Sequence, residues 1–242
     1  MGRRSYSGGR GLATLLLALF LGGRAGLAAA PDARPFTVVC SFYPMYVMAL
    51  NVVGDTPGVS VECLTASTVG CLHDYQLTPG NLKTLGKAQV FIANGAGMES
   101  FTEKVVQQSP NLRVIVASRG LKLAYHNNPH IWVSISGAMG EVSNIAQGLA
   151  AADPPHAAAY QANAGRYLTQ LDQLRGQMHA ALDGLKHREI ITFHEAFPYF
   201  AQEFGLKVVG VVEREPGSHP SAGELARTIE LVRKEHGKAL GA

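Results

Sequence analysis

The sequence has little cysteine, little charge, one tryptophan and no hydrophobic run long enough to cross a membrane. Among 242 residues there are 3 Cys and 1 Trp, and 16% are charged. The longest apolar stretch, Leu12 to Leu21, falls short of the ~20 residues that a spanning helix needs. No low-complexity tract and no internal repeat are present, and the 47% hydrophobic content is that of an ordinary soluble protein. The formal charge of +3 leans on Arg3, Arg4 and Arg10, and no Lys/Arg cluster is interleaved with aromatics. Nucleic acid is therefore not an expected partner.

Those three arginines precede the apolar run, and Ala28-Ala29-Ala30 follow it, the order of a secretory signal peptide cleaved near Ala30. Ser5-Tyr6-Ser7 continues poorly from Arg3-Arg4 for twin-arginine export, and no cysteine closes the run, which argues against a lipid anchor. Residues 1–30 are read as signal, and the mature chain is expected in a periplasm or equivalent exported space. In an oxidising compartment Cys40, Cys63 and Cys71 allow at most one internal disulfide. Cys63 with Cys71 is the expected pair, and Cys40, in FTVVCSF, reads as a buried small hydrophobe. A thiolate ligand at Cys71, two residues from His73, stays open as an alternative.

Along the mature chain short apolar runs alternate with helical patterns, the mark of α/β units around a largely parallel sheet. Strands are predicted at Phe36 to Ser41, Val59 to Thr65, Val90 to Ala93 and Val114 to Ala117. Helices are predicted from Pro44 through Val53, around Asn81 to Leu85 after Thr78, from Glu99 through Gln108, and from Ser136 to Ala151. Asp153 and Pro154 then read as cap and first residue of a long helix, with apolar residues at Tyr160, Ala164, Tyr167, Leu171, Leu174, Met178, Leu182 and Leu185. At 1.5 Å per residue it would be about 45 Å long, a rigid spine between lobes, with a coiled-coil dimer as the alternative. Strands at Glu189 to Thr192 and Lys207 to Val212 and helices at Glu195 to Phe204 and Ala222 to Lys234 complete a smaller lobe. The predicted fold is α/β: two lobes with mainly parallel sheets (31–153 and 188–242) joined by one long helix (154–187), the second lobe incomplete with two strands.

Three histidines sit in turn-like runs: His73 in GCLHDYQLTP, His130 in NNPHIWVS and His194 in TFHEAFPYF. Neutral imidazoles suit zinc and its late-row neighbours, and intervals of this length exclude a local finger, so only tertiary structure could gather them. In open α/β sheets ligands bind beyond the carboxyl ends of strands. His194 follows a strand, His73 lies in the loop after another, and His130 lies between lobes, so all three can face one cleft. His156, His179, His187 and His236 fall on polar helical faces or ends, where solvation is the default.

The runs GCLHDYQLTP, NPHIWVS and FHEAFPYFAQEFGL, with SFYPMY and IANGAGMESF, resemble the zinc-binding solute-binding proteins of bacterial ABC importers, from about Thr37 to the C-terminus. The resemblance implies two α/β lobes joined by a long helix that trap a metal ion between them, with His73, His130 and His194 as ligands. Manganese-preferring members place a carboxylate where His194 stands, and three imidazoles favour zinc on donor softness. Members of that family continue past the segment matching Ala222 to Lys234, and the last helix brings a carboxylate near the metal. Here Lys238-Ala239-Leu240 reads as the start of a further strand, and the chain resembles a member truncated at the C-terminus. Water, His219, Glu213 or Glu215 are open as the fourth ligand. The histidine-rich loop of many zinc members is missing, with only His126 before NNPH, and His126 reads as a surface residue.

A zinc hydrolase or hydratase is the competing class, because three histidines and a bound water also suit hydration. Glu195 and Asp74 adjoin ligands, but neither stands in an H-E-x-x-H helix, and orientation of the imidazoles or helix N-terminal charge is the better reading for both. An adhesin of related fold has no encoded partner surface here. The expectation is a monomeric exported protein that binds Zn2+ as cargo and hands it to the membrane permease of an importer.

Overall fold

Four parallel strands form the first sheet, and the central pair, Phe36–Cys40 and Val90–Ala93, is buried almost throughout, whereas the edge strands are only partly covered. In the computed structural model, which describes residues 1–2, 35–66, 72, 75–213, 220–234 and 240–241, the four are β1 (Phe36–Cys40), β2 (Val59–Cys63), β3 (Val90–Ala93) and β4 (Arg113–Val116). Their order is β2-β1-β3-β4, all parallel, with Cys40 in register with Cys63. The predicted signal segment lies outside the described residues apart from Met1 and Gly2. From Arg34 onward the chain is one compact unit. No described helix is long and apolar enough to cross a membrane.

Helices α1 (Tyr43–Val53), α2 (Pro79–Leu85) and α3 (Thr102–Gln108) connect these strands. Thr78 caps α2 as predicted: its hydroxyl accepts from the Asn81 amide, and Asn81 Oδ1 returns the bond to the Thr78 amide. A 3₁₀ turn, Ile131–Val133, then leads into α4 (Ile135–Ala152), whose Ala138, Val142, Ile145, Ala146 and Leu149 enter the same core. Ser134 caps α4 by accepting from the Gly137 amide. Gly137 is needed there, because a Cβ would stand 2.2 Å from the Ile131 carbonyl oxygen.

One acid lies on the buried stripe of α4. Glu141 is 0% exposed, and neither carboxyl oxygen has a hydrogen-bond partner among the described residues. Burial, with the Glu99 charge adding to it, pushes its carboxyl well above the ordinary range. Glu99 is raised by burial too, but three donors oppose the shift: Ser41 Oγ and the amides of Asn94 and Gly95, at 2.7 to 2.9 Å.

The spine departs from its predicted start. Residues Pro154–His156 form a 3₁₀ turn, and α5 runs over Ala157–Leu182, about 39 Å at 1.5 Å per residue. Asp153 does not cap it through its side chain; its carboxylate accepts from Tyr160 Oη at 2.6 Å and pairs with His156 Nδ1 at 2.7 Å. Tyr160, Ala164 and Leu171 are buried, whereas Leu174 and Leu185 are exposed, so only the first half of the apolar stripe is covered.

The second sheet contains β5 (Glu189–His194), β6 (Lys207–Glu213) and β7 (Leu240–Gly241), in the order β6-β5-β7 and parallel throughout. The third strand corrects the two-strand expectation and includes Leu240 of the strand start read at Lys238-Ala239-Leu240, whose first two residues lie outside the described ones. Helix α6 (Pro198–Glu203) begins three residues later than predicted, since Pro198 takes a first-turn position, and α7 (Ala222–Lys234) follows β6.

Candidate metal centre

His130 and His194 reach one point from two directions. His194 is the last residue of β5 rather than the first loop residue, at the carboxyl end of the central strand of its sheet. His130 immediately precedes the 3₁₀ turn that enters α4 and is buried. Their Nε2 atoms are 3.1 Å apart, and the rings meet edge to face with centroids 4.8 Å apart.

The protonation of His130 follows from its neighbour. Asn128 Nδ2 donates to the Glu195 carbonyl at 2.8 Å, which fixes the amide so that Oδ1 faces His130. That oxygen accepts from the His130 main-chain N–H at 3.0 Å and stands 2.9 Å from Nδ1. An amide oxygen only accepts, so Nδ1 carries the proton and the lone pair of Nε2 points at His194. A hydrogen-bond acceptor placed on the far ring nitrogen in this way sets the tautomer of metal-binding histidines.

The loop that carries His130 is held from both sides. Asn94 Nδ2 donates to the Pro129 carbonyl at 3.0 Å from the end of β3. Tyr199 on α6 donates to the Asn128 carbonyl at 2.7 Å and accepts from the Ala124 amide at 3.0 Å, and its ring packs edge-on against Tyr125. Three non-glycine residues in succession, Tyr125, His126 and Asn127, adopt left-handed conformations with φ of 53°, 60° and 63°. Trp132 lies 5.1 Å from the His130 ring and 5.0 Å from Phe42, centroid to centroid.

His73 lies outside the described residues, as do Cys71, Asp74, Glu215 and His219. Next to it, Leu72 is fully buried and its amide donates to Met98 Sδ at 3.5 Å, while Tyr75 packs on Phe101. Among the described residues no group of three or more His, Cys, Asp or Glu converges on one point. Glu195 is exposed and precedes α6, contributing to the site through its carbonyl oxygen alone among the contacts seen. Sequence reading missed Asn128 and Tyr199. Asn128 stood there only inside the runs around His130, and Tyr199 only inside the helix predicted from Glu195 to Phe204.

Two imidazole nitrogens held 3.1 Å apart by segments 64 residues apart invite comparison with known metal receptors. The family model described as zinc-uptake complex component A, periplasmic, matches residues 38–241. The chain belongs to that family. It is 30% identical over 220 residues to the high-affinity zinc uptake system protein ZnuA of Bacillus subtilis (strain 168), covering 82% of this chain and 67% of the relative. It is 25% identical over 210 residues to the manganese-binding lipoprotein MntA of Halalkalibacterium halodurans, covering 84% and 69%. The crystal structure of the Zn(II)-bound ZnuA-like domain of Streptococcus pneumoniae AdcA superposes with a TM-score of 0.74 at 28% identity, covering 84% of this chain and 76% of that one. The family's two-lobed fold is that of this chain, and its role is that of a binding component rather than an enzyme.

Proposed function

We propose that this protein captures one zinc ion outside the cytoplasm and delivers it to the membrane permease of an ABC importer, acting as a monomer after removal of residues 1–30. His130 and His194 are the ligands whose geometry supports the reading, and His73 is proposed as the third. The observation that carries it is the 3.1 Å separation of the two Nε2 atoms, with the His130 lone pair directed between them. Two nitrogens bound at ~2.0–2.1 Å to a tetrahedral ion stand about 3.3 Å apart, so little movement is needed. Without metal a proton on His194 Nε2 bridges the rings, and an ion bound there would require that proton on His194 Nδ1 instead.

Mechanism is then binding and release. Binding needs neutral imidazoles, so affinity is expected to fall as pH drops through the ordinary imidazole range near ~6.5. The decisive experiment titrates the metal-free mature chain with zinc against a competing chelator and follows Trp132. One-to-one binding near nanomolar, about −12 kcal/mol, is expected, with severe loss in His130→Ala and His194→Ala. Unchanged affinity in either variant would overturn the assignment.

The manganese-binding relative supports a second reading in which manganese is the cargo. Imidazole donors favour zinc over manganese in the Irving–Williams order. Competition between the two ions on the same sample decides between them.

A further inference from the structure

The two ligand-bearing segments are joined a second time, away from the imidazoles. Glu203, the last residue of α6, lies nine residues after His194. Its Oε2 accepts from the Ile135 amide at 2.7 Å, and its Oε1 accepts from the Ser136 amide at 3.1 Å and from Ser136 Oγ at 2.5 Å. Ile135 opens α4 a few residues after His130. The same Ser136 hydroxyl accepts from Arg175 Nη1 at 3.4 Å. At this point α4, α5 and α6 meet on a single side chain. A carboxylate on the first free amides of an 18-residue helix has charge-assisted bonds and a favourable helix field.

We infer that Glu203 is a positioning residue for metal capture: it ties the segment of His194 to the segment of His130 and holds the two Nε2 atoms at the spacing an ion requires. The inference rests on the capture reading above. Three features separate it from ordinary capping. The helix already has its own cap in Ser134. The acid comes from 67 residues away rather than from the preceding turn. Both elements it joins lead directly to an imidazole, so slack in the bond becomes slack in the Nε2 pair.

The test compares the parent chain with Glu203→Gln, Ser136→Ala and Tyr160→Phe. Zinc release to excess chelator is followed by stopped flow through Trp132, beside the melting temperature and hydrogen exchange at the Ile135 and Ser136 amides of the metal-free protein. Glu203→Gln places an NH2 against an N–H donor and should release zinc about tenfold faster, with faster exchange at both amides. Ser136→Ala removes one of the three donors and should move both readouts the same way by a smaller factor. Tyr160→Phe loses its bond to Asp153 far from the cleft, and should lower the melting temperature without changing release. Release from Glu203→Gln at the parent rate, or release that tracks melting in all three variants, would overturn the inference. Failure of the parent chain to bind zinc would overturn the capture reading, and unchanged exchange in Glu203→Gln would then refute the bridge by itself.

Discussion

The amide of Asn128 bonds the His130 ring through its oxygen and the Glu195 carbonyl through its nitrogen, so one side chain spans the two segments that carry the imidazoles. Both halves of the amide are used, and neither neighbour substitutes for it. Asn128→Ala should free the His130 tautomer and weaken zinc binding by about 10- to 100-fold while the chain stays folded. Asn128→Asp keeps the acceptor for Nδ1 but sets a carboxylate against a carbonyl, and should recover only part of the loss. Equal affinity in all three proteins, measured by chelator competition, would refute this role.

Glu141 predicts an unusual pH response. Its carboxyl is held above the ordinary value by burial and then by Glu99, so the folded chain binds this proton more tightly than the unfolded chain. This group's effect on stability is therefore absent at acid pH below the unfolded value. As pH rises through the ordinary carboxylate range toward the raised folded value, the group increasingly destabilises the fold. Glu141→Met should be more stable than the parent at pH 7.5 by about 1–3 kcal/mol, with the difference shrinking at pH 4. Denaturant melts at the two pH values check both the sign and the convergence.

Gly137 sets how closely α4 approaches the turn that carries His130. An added methyl would meet the Ile131 carbonyl oxygen at 2.2 Å and Ser134 Oγ at 2.6 Å, and both are fixed by the capping bonds. Gly137→Ala should cost about 1–3 kcal/mol despite alanine's better helix propensity, and should weaken zinc binding by shifting His130. A melting temperature at or above that of the parent would show that the turn can move aside.

Cysteine reactivity should be uneven. Cys40 is fully buried with its thiol pushed well up by burial and by Cys63 beside it, whereas Cys63 is half-buried and raised less. In protein prepared under reductant, iodoacetamide at pH 8 should label Cys63 first and Cys40 only after denaturation. Peptide mapping of equal labelling at the two would contradict this packing.

Periodicity made most of the fold readable. The strand at Val90–Ala93 matches its prediction residue for residue, and Leu240, from the predicted strand start, lies in β7. The failures have separate physical causes. The stripe on the spine continued through Leu174 and Leu185 in sequence, but both are exposed and the His179–Phe204 ring contact covers that half only in part, and periodicity cannot count partners. Glu141 escaped notice because a charge on a helix is taken to face water, whereas this one is fully buried. The turn-like settings of His130 and His194 marked them as candidates, and the fold brings their Nε2 atoms within 3.1 Å. Asn128, Tyr199 and Glu203 were not so marked, since each also reaches a main-chain group more than 65 residues away, a contact that no local pattern encodes.

The three left-handed residues before Asn128 bear on the order in which the molecule assembles. A non-glycine residue in this conformation costs roughly 1–2 kcal/mol, so an unfolded chain holds all three together in fewer than about one molecule in a hundred. The coil at Tyr125, His126 and Asn127 therefore cannot form first and wait for the rest. It is moulded against Tyr199, whose hydroxyl and ring it wraps. Ordering of this coil, and with it the placement of His130, is therefore coupled to the docking of α6.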